Sequence, residues 1–230
     1  MQVHRHRTVL FPILSKKKSI PLHHLFSVCG LIAPVIFWIG VFIVGWLQPD
    51  YNPLADTVSK MGRIGRPFAG VANGILVVTG FLLALFAQAL PRSRLQASNG
   101  LSAPGLLTLF GLFGLAGAGL LPCDEFCAGM SAPNILHTLP VALGFACLQM
   151  ALLQYADRET TDSLWQNIPE TSLALFWAGS VALIAFVLGR WGIIPLLESF
   201  AGFSEKIYLA MLFAFIFTLA RRLYLRTRRS

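Results

Sequence analysis

The chain has 230 residues, 56% of them hydrophobic and only 12% charged, with a net charge of +8. A water-facing domain carries about 25% charged residues, so this composition excludes an ordinary soluble domain and leaves a small bundle of membrane spans. Nucleic acid is not the implied partner of the positive charge, because ten of the eighteen basic residues stand at the two ends beside apolar blocks. Arg5, Arg7, Lys16, Lys17 and Lys18 lie at one end and Arg221, Arg222, Arg226, Arg228 and Arg229 at the other, the pattern of cytoplasmic flanks.

The apolar residues fall into blocks near the ~20 residues that cross a bilayer. The first, Leu25 to Leu47, is too long for the core of a signal peptide and ends in Gly45-Trp46-Leu47-Gln48-Pro49, without a small-residue cleavage site. It reads as a retained first span. A loop with Pro49 and Pro53 follows, and Asp56 to Gly62 reads as a short amphipathic helix on the outer face. The second span runs from about Pro67 to Leu90 and is closed by Pro91-Arg92-Ser93-Arg94. The third, about Pro104 to Leu121, holds Gly114 and Ala118 four residues apart. Such small residues serve either as a hinge or, more commonly, to let a neighbouring backbone pack closely.

The fourth span is about Pro133 to Tyr155, and the acidic loop Ala156 to Glu170 after it reads as a solvated cytoplasmic turn. The fifth, Thr171 to about Leu188, closes with Gly189-Arg190-Trp191, an interfacial indole beside a snorkelling cation. Pro195 to Lys206 reads as an outer loop or half-buried turn, and the sixth span begins near Ile207. With the amino terminus inside, the inner segments hold thirteen Lys and Arg and the outer ones five, in agreement with the positive-inside rule. The expected architecture is all-α: a polytopic bundle of six transmembrane helices in the inner membrane, both termini cytoplasmic. Residues 1–24 form a basic tail, residues 25–225 the membrane domain and residues 226–230 a second basic tail. No internal repeat supports an inverted-repeat transporter.

Charge inside a bilayer costs at least about 2.5–3.5 kcal/mol, so intramembrane ionisable groups usually serve a function. Here the spans offer Asn73, Gln88, Gln149, Gln154, hydroxyls and His137, with no buried carboxylate for a proton-coupled carrier. The remaining polar residues gather at the outer face: Asp56 and Ser59, Asp124 and Glu125, His137, and Glu198 with Glu205. A carboxylate beside an imidazole fixes its tautomer, and the imidazole can then deprotonate a serine. The catalytic candidates are therefore Ser59, Asp124 and His137, with Asp56 supporting, in an outer-leaflet hydrolase or transferase. The commoner role of a lone histidine near a helix start is to cap or tie two helices together.

Catalytic zinc wants three protein ligands, and His4, His6, His23 and His24 are placed on the opposite side, so no metal and no cofactor is expected. Cys123 and Cys127 form a disulfide in an oxidising periplasm or remain thiols, free or metal-bound. Cys29 and Cys147 read as packing residues.

Three groups of residues carry a resemblance. They are Tyr51-Asn52-Pro53-Leu54…Thr57-Val58-Ser59-Lys60-Met61-Gly62 followed by Gly80, Asp124 with His137, and Gly202-Phe203-Ser204-Glu205-Lys206. In their order and spacing the chain resembles a prokaryotic family of six-span membrane proteins known as domain of unknown function 998, over about Leu25 to Leu225. The family pattern usually has an acidic residue after the serine, where this chain has Lys60, so no carboxylate role carries over there. The chain is similar, more distantly, to membrane hydrolases built on serine, aspartate and several histidines, whose paired histidines it lacks. The resemblance implies six helices and an outer-face polar cluster, but no reaction. Two functions fit: a lipid- or small-molecule-modifying enzyme at the outer face, or a non-enzymatic component. The latter is a permease-like protein for an uncharged solute or an assembly partner. Expected partners are membrane lipids and a hydrophobic or uncharged small molecule.

Overall fold

A computed structural model describes residues 22–90, 101–125, 127, 129–157 and 165–229. The basic amino-terminal segment up to residue 21, the Pro91 to Arg94 turn, residues 158–164 of the acidic 156–170 loop and the last residue lie outside the described residues. Six helices are long and apolar enough to cross a membrane: α1 (Leu22–Leu47), α2 (Ala69–Ala87), α3 (Ala103–Leu120), α4 (Ala132–Ala156), α5 (Ile168–Arg190) and α6 (Ala201–Arg229). Each packs against its neighbour in sequence, and α6 closes the ring against α1.

Local chemistry sets the helix starts. Ser102 and Ser131 accept hydrogen bonds through Oγ from the N–H groups of Gly105 and Asn134, with proline in the first turn of each helix, where its missing N–H costs nothing. The short Asp56 to Gly62 helix is realised as Val58–Met61, capped by Thr57. Between α5 and α6 a further turn of helix covers Pro195–Glu198.

Two elements differ from expectation. α6 starts at Ala201 rather than Ile207, because the polar run Gly202 to Lys206 forms its first turns, not a loop. α3 is not uniform either: Phe110–Gly117 is wound as π-helix. This wider stretch turns Gly111 towards α2 and Gly114 towards α4. A Cβ on Gly80 would lie 2.3 Å from Gly111 O, and one on Gly144 would lie 2.3 Å from Gly114 Cα. The glycines of α3 therefore serve close backbone packing.

α3 is the most enclosed span, 61% buried, and α5 the least, 17% buried. Aromatic contacts run through the core: Phe110 lies 6.3 Å from Phe145, and Phe145 5.2 Å from Tyr208, while Phe37 of α1 meets Phe213 of α6 at 4.6 Å. The exposed flank of α5, with Trp177, Val181 and Ile184, leaves the α4–α5 seam at the rim of the bundle. The cavity described below lies along that seam.

Candidate functional site

The connections after α1, α3 and α5 meet at one end of the bundle and bond to one another. Gly202 N–H donates to Ala55 O and Phe203 N–H to Leu54 O, at 3.2 and 2.8 Å. A Cβ on Gly202 would stand 2.1 Å from Asp56 O, so only glycine admits this approach. Ile64 N–H donates to Cys123 O at 3.1 Å. Arg63 bonds to Glu125 O and Arg66 to Pro49 O. Cys123 and Cys127 are joined as a disulfide across a Cα–Cα distance of 5.0 Å.

Charges at this end are matched mostly to backbone. Lys206 Nζ donates to the carbonyls of Pro53, Asp56 and Gly202 at 3.0, 2.7 and 3.1 Å and stands 5.3 Å from the Tyr51 ring centroid. Glu205, 5% exposed, accepts from Val58 N–H at 2.6 Å. Burial pushes the Tyr51 phenol up, and the negative charges of Glu205 and Asp56 add to it. For Asp56, burial alone would raise the carboxyl. The bond from Lys60, the Asn52 N–H and the charges of Lys60 and Arg66 outweigh that and hold it below the usual carboxylate range.

Beside this end, between α4 and α5, lies a cavity of about 580 Å³. Ser59 and His137 both line it, together with Asn134, Arg190 and Glu205, and its deeper wall is apolar, with Val141, Phe145 and Leu183. Ser59 Oγ has no hydrogen-bond partner among the described residues. His137, 7% exposed, bonds through Nδ1 to Leu121 O at 2.7 Å, with the Ala118 carbonyl also against the ring. A carbonyl only accepts, so Nδ1 carries the proton, and the neutral ring then has its lone pair on Nε2. The ring thereby satisfies carbonyls left open at the end of α3.

The other two candidates stand apart from the cavity wall. Asp124 accepts from Ser131 Oγ at 2.5 Å and from Cys127 N–H at 3.0 Å, while its own N–H donates to Asn134 Oδ1 at 3.1 Å. It shapes the α3–α4 connection, and among the described residues no hydrogen bond joins it to His137. Asp56 is paired with Lys60 at 2.8 Å in the first connection. His24 lies at the opposite end, against Thr227 and Tyr224. Among the described residues no three His, Cys, Asp or Glu side chains are grouped to hold a metal, and the disulfide removes the Cys123 and Cys127 thiols as ligands.

The arrangement is that of a membrane-helix bundle with a tightly folded cap over one end, and a family model described as Protein of unknown function (DUF998) matches residues 31–222. The chain belongs to this family. Neither a curated protein nor a solved structure matches it. In this DUF998 member, the first and last groups of residues that carry the resemblance are direct neighbours: Tyr51 to Gly62 lies over Gly202 to Lys206.

One cavity residue escapes a reading of the sequence, and a second, expected among the clustered polar residues, sits on a different element from the one expected. Arg190, at the last turn of α5, reads as a cation reaching for the membrane surface, yet it lines the cavity. Glu205 reads as a loop residue, yet α6 begins before it. The available signal was Gly189-Arg190-Trp191 and Glu205-Lys206 flanking the same α5–α6 connection.

Proposed function

We propose that this DUF998 member is an inner-membrane protein, both termini cytoplasmic, which takes a membrane amphiphile from the outer leaflet into the α4–α5 cavity. There it acts on the amphiphile as a hydrolase or transferase. The carrying observation is that Ser59 and His137 line one cavity that is polar near its mouth and apolar along its depth. The Cys123–Cys127 disulfide supports an oxidising outer side for this end, and the arginines after Ala220 support a cytoplasmic one for the other.

In this reading the Leu121 carbonyl, rather than Asp124, orients the imidazole. Ser59 Oγ attacks the acyl carbonyl or phosphorus of the bound ester while its proton passes to His137 Nε2. That proton leaves with the departing alcohol. A water or acceptor alcohol then releases the transferred group and restores both side chains. Asp124 holds the α3–α4 connection in place, and Asp56 holds the Ser59 segment against α6.

One observation favours a non-enzymatic carrier or partner instead: the bonds of His137 to the end of α3 suit a purely structural cap. The purified protein in nanodiscs of native lipid extract separates the two readings. Mass spectrometry is expected to show one lipid species consumed by wild type and spared by Ser59→Ala and His137→Ala. An unchanged lipid profile with wild type overturns the enzymatic reading.

A further inference from the structure

The cavity carries two opposite charges that feel each other's field but make no direct contact. The Arg190 guanidinium, at the end of α5, makes no hydrogen bond and no ion pair among the described residues. Glu205, near the start of α6, gives Oε2 to Val58 N–H. The only ion pair among the described residues is Lys60–Asp56. Lys206, next to Glu205, is already turned to three backbone carbonyls. A guanidinium and a carboxylate thus line one largely apolar space with no hydrogen bond or ion pair between them, an arrangement that a ligand bridging both would stabilise.

The shape of the space adds to this. From His137 to Ala146 the wall follows α4 for nine residues, about 14 Å at 1.5 Å per residue. Ala142, Ala146 and Val187 line it and are nevertheless exposed, so the slot opens sideways between α4 and α5, where acyl chains lie in a bilayer. Polar groups occupy its outer end and apolar ones its length.

We infer that the cavity selects a zwitterionic phospholipid, with the phosphate on Arg190, the headgroup ammonium on Glu205 and an acyl chain along the α4–α5 slot. A planar guanidinium suits two phosphate oxygens, and a primary ammonium donates hydrogen bonds to a carboxylate. Phosphatidylglycerol would meet Arg190 with its phosphate but offer Glu205 only neutral hydroxyls, leaving the carboxylate without a cation. A choline headgroup has the charge without N–H donors, so phosphatidylethanolamine is the best match.

This inference rests on the amphiphile reading of the cavity, and one experiment separates their failures. The full chain is exchanged into nanodiscs of equimolar phosphatidylethanolamine, phosphatidylcholine and phosphatidylglycerol, then released into detergent, and retained lipid is counted by native mass spectrometry. Wild type is expected to retain phosphatidylethanolamine at least tenfold over phosphatidylglycerol, with phosphatidylcholine between them. Glu205→Gln, which keeps an acceptor for Val58 N–H, is expected to lose that preference. Arg190→Gln is expected to lose retention of all three. Retention by wild type without headgroup preference overturns the zwitterion inference and leaves the amphiphile reading standing. No retained phospholipid at all overturns both, and a wild-type preference that survives Glu205→Gln in protein of unchanged thermal midpoint overturns the assignment of the ammonium to Glu205.

Discussion

Glu205 accepts a 2.6 Å hydrogen bond from the backbone N–H of Val58, 147 residues earlier in the chain. That bond fixes the Ser59 turn to the first turns of α6, so the cap and the cavity mouth are one unit. Removing the acceptor leaves a buried N–H without a partner, at about 1–3 kcal/mol. Thermal unfolding in detergent should show Glu205→Leu clearly below wild type, and Glu205→Gln, whose amide oxygen still accepts, within a few degrees of it. Equal midpoints for Leu and wild type would show that the bond holds nothing.

The same junction depends on the absence of a side chain at Gly202. Gly202→Ala drives a methyl into the Asp56 carbonyl and should cost about 1–3 kcal/mol by overpacking. Gly70→Ala, where a Cβ meets nothing within 4 Å, should be neutral or slightly stabilising. A pair of midpoints that do not differ would contradict the close approach.

Asp56 carries the acid limit of the cap. Its folded carboxyl lies below the unfolded value, so its contribution is complete above the ordinary carboxylate range and fades as pH falls through the folded value. The Lys60 pair is partly exposed, with side chains 14% and 27% accessible for Asp56 and Lys60. The effect should therefore be modest, about 0.5–1 kcal/mol. Asp56→Asn should flatten the acid limb of the stability profile, with the two proteins converging only below the depressed folded value of the Asp56 carboxyl. An acid limb of wild-type steepness in the variant would assign it to other groups.

The disulfide closes a small ring, and on chain entropy alone it contributes about 2 kcal/mol. Maleimide should modify neither Cys123 nor Cys127 until reductant is added, and the Cys123→Ser, Cys127→Ser double variant should unfold at a lower temperature. Labelling of the untreated protein at these positions would contradict the bridge.

Much of the fold was legible in the sequence because hydrocarbon thickness dictates span length. Five helix starts fall within a few residues of their expected places, with Ser-x-Pro or Pro punctuation marking α3 and α4. α6 was misplaced because Glu205 and Lys206 look too polar for a span, and only the carbonyls of Pro53 and Asp56 and the Val58 N–H, distant in sequence, make them tolerable there. The π-wound stretch of α3 has no sequence mark beyond its small residues. Ser59 and His137 were legible as polar residues of one face. Arg190 was not, since a cation at a helix end reads the same whether it reaches for solvent or into a cavity. Nor did spacing reveal that Leu121 O, not Asp124, takes the His137 proton donor.

An amphiphile held in the α4–α5 slot is what brings Ser59, His137, Arg190 and Glu205 to one ligand. Ala146 is exposed on its apolar wall, so Ala146→Trp fills the slot without crowding the core. Native mass spectrometry of the full chain taken from native-lipid nanodiscs reads the consequence directly. Wild type should carry a bound lipid that Ala146→Trp loses at an unchanged thermal midpoint; the same bound lipid on both proteins would contradict the account.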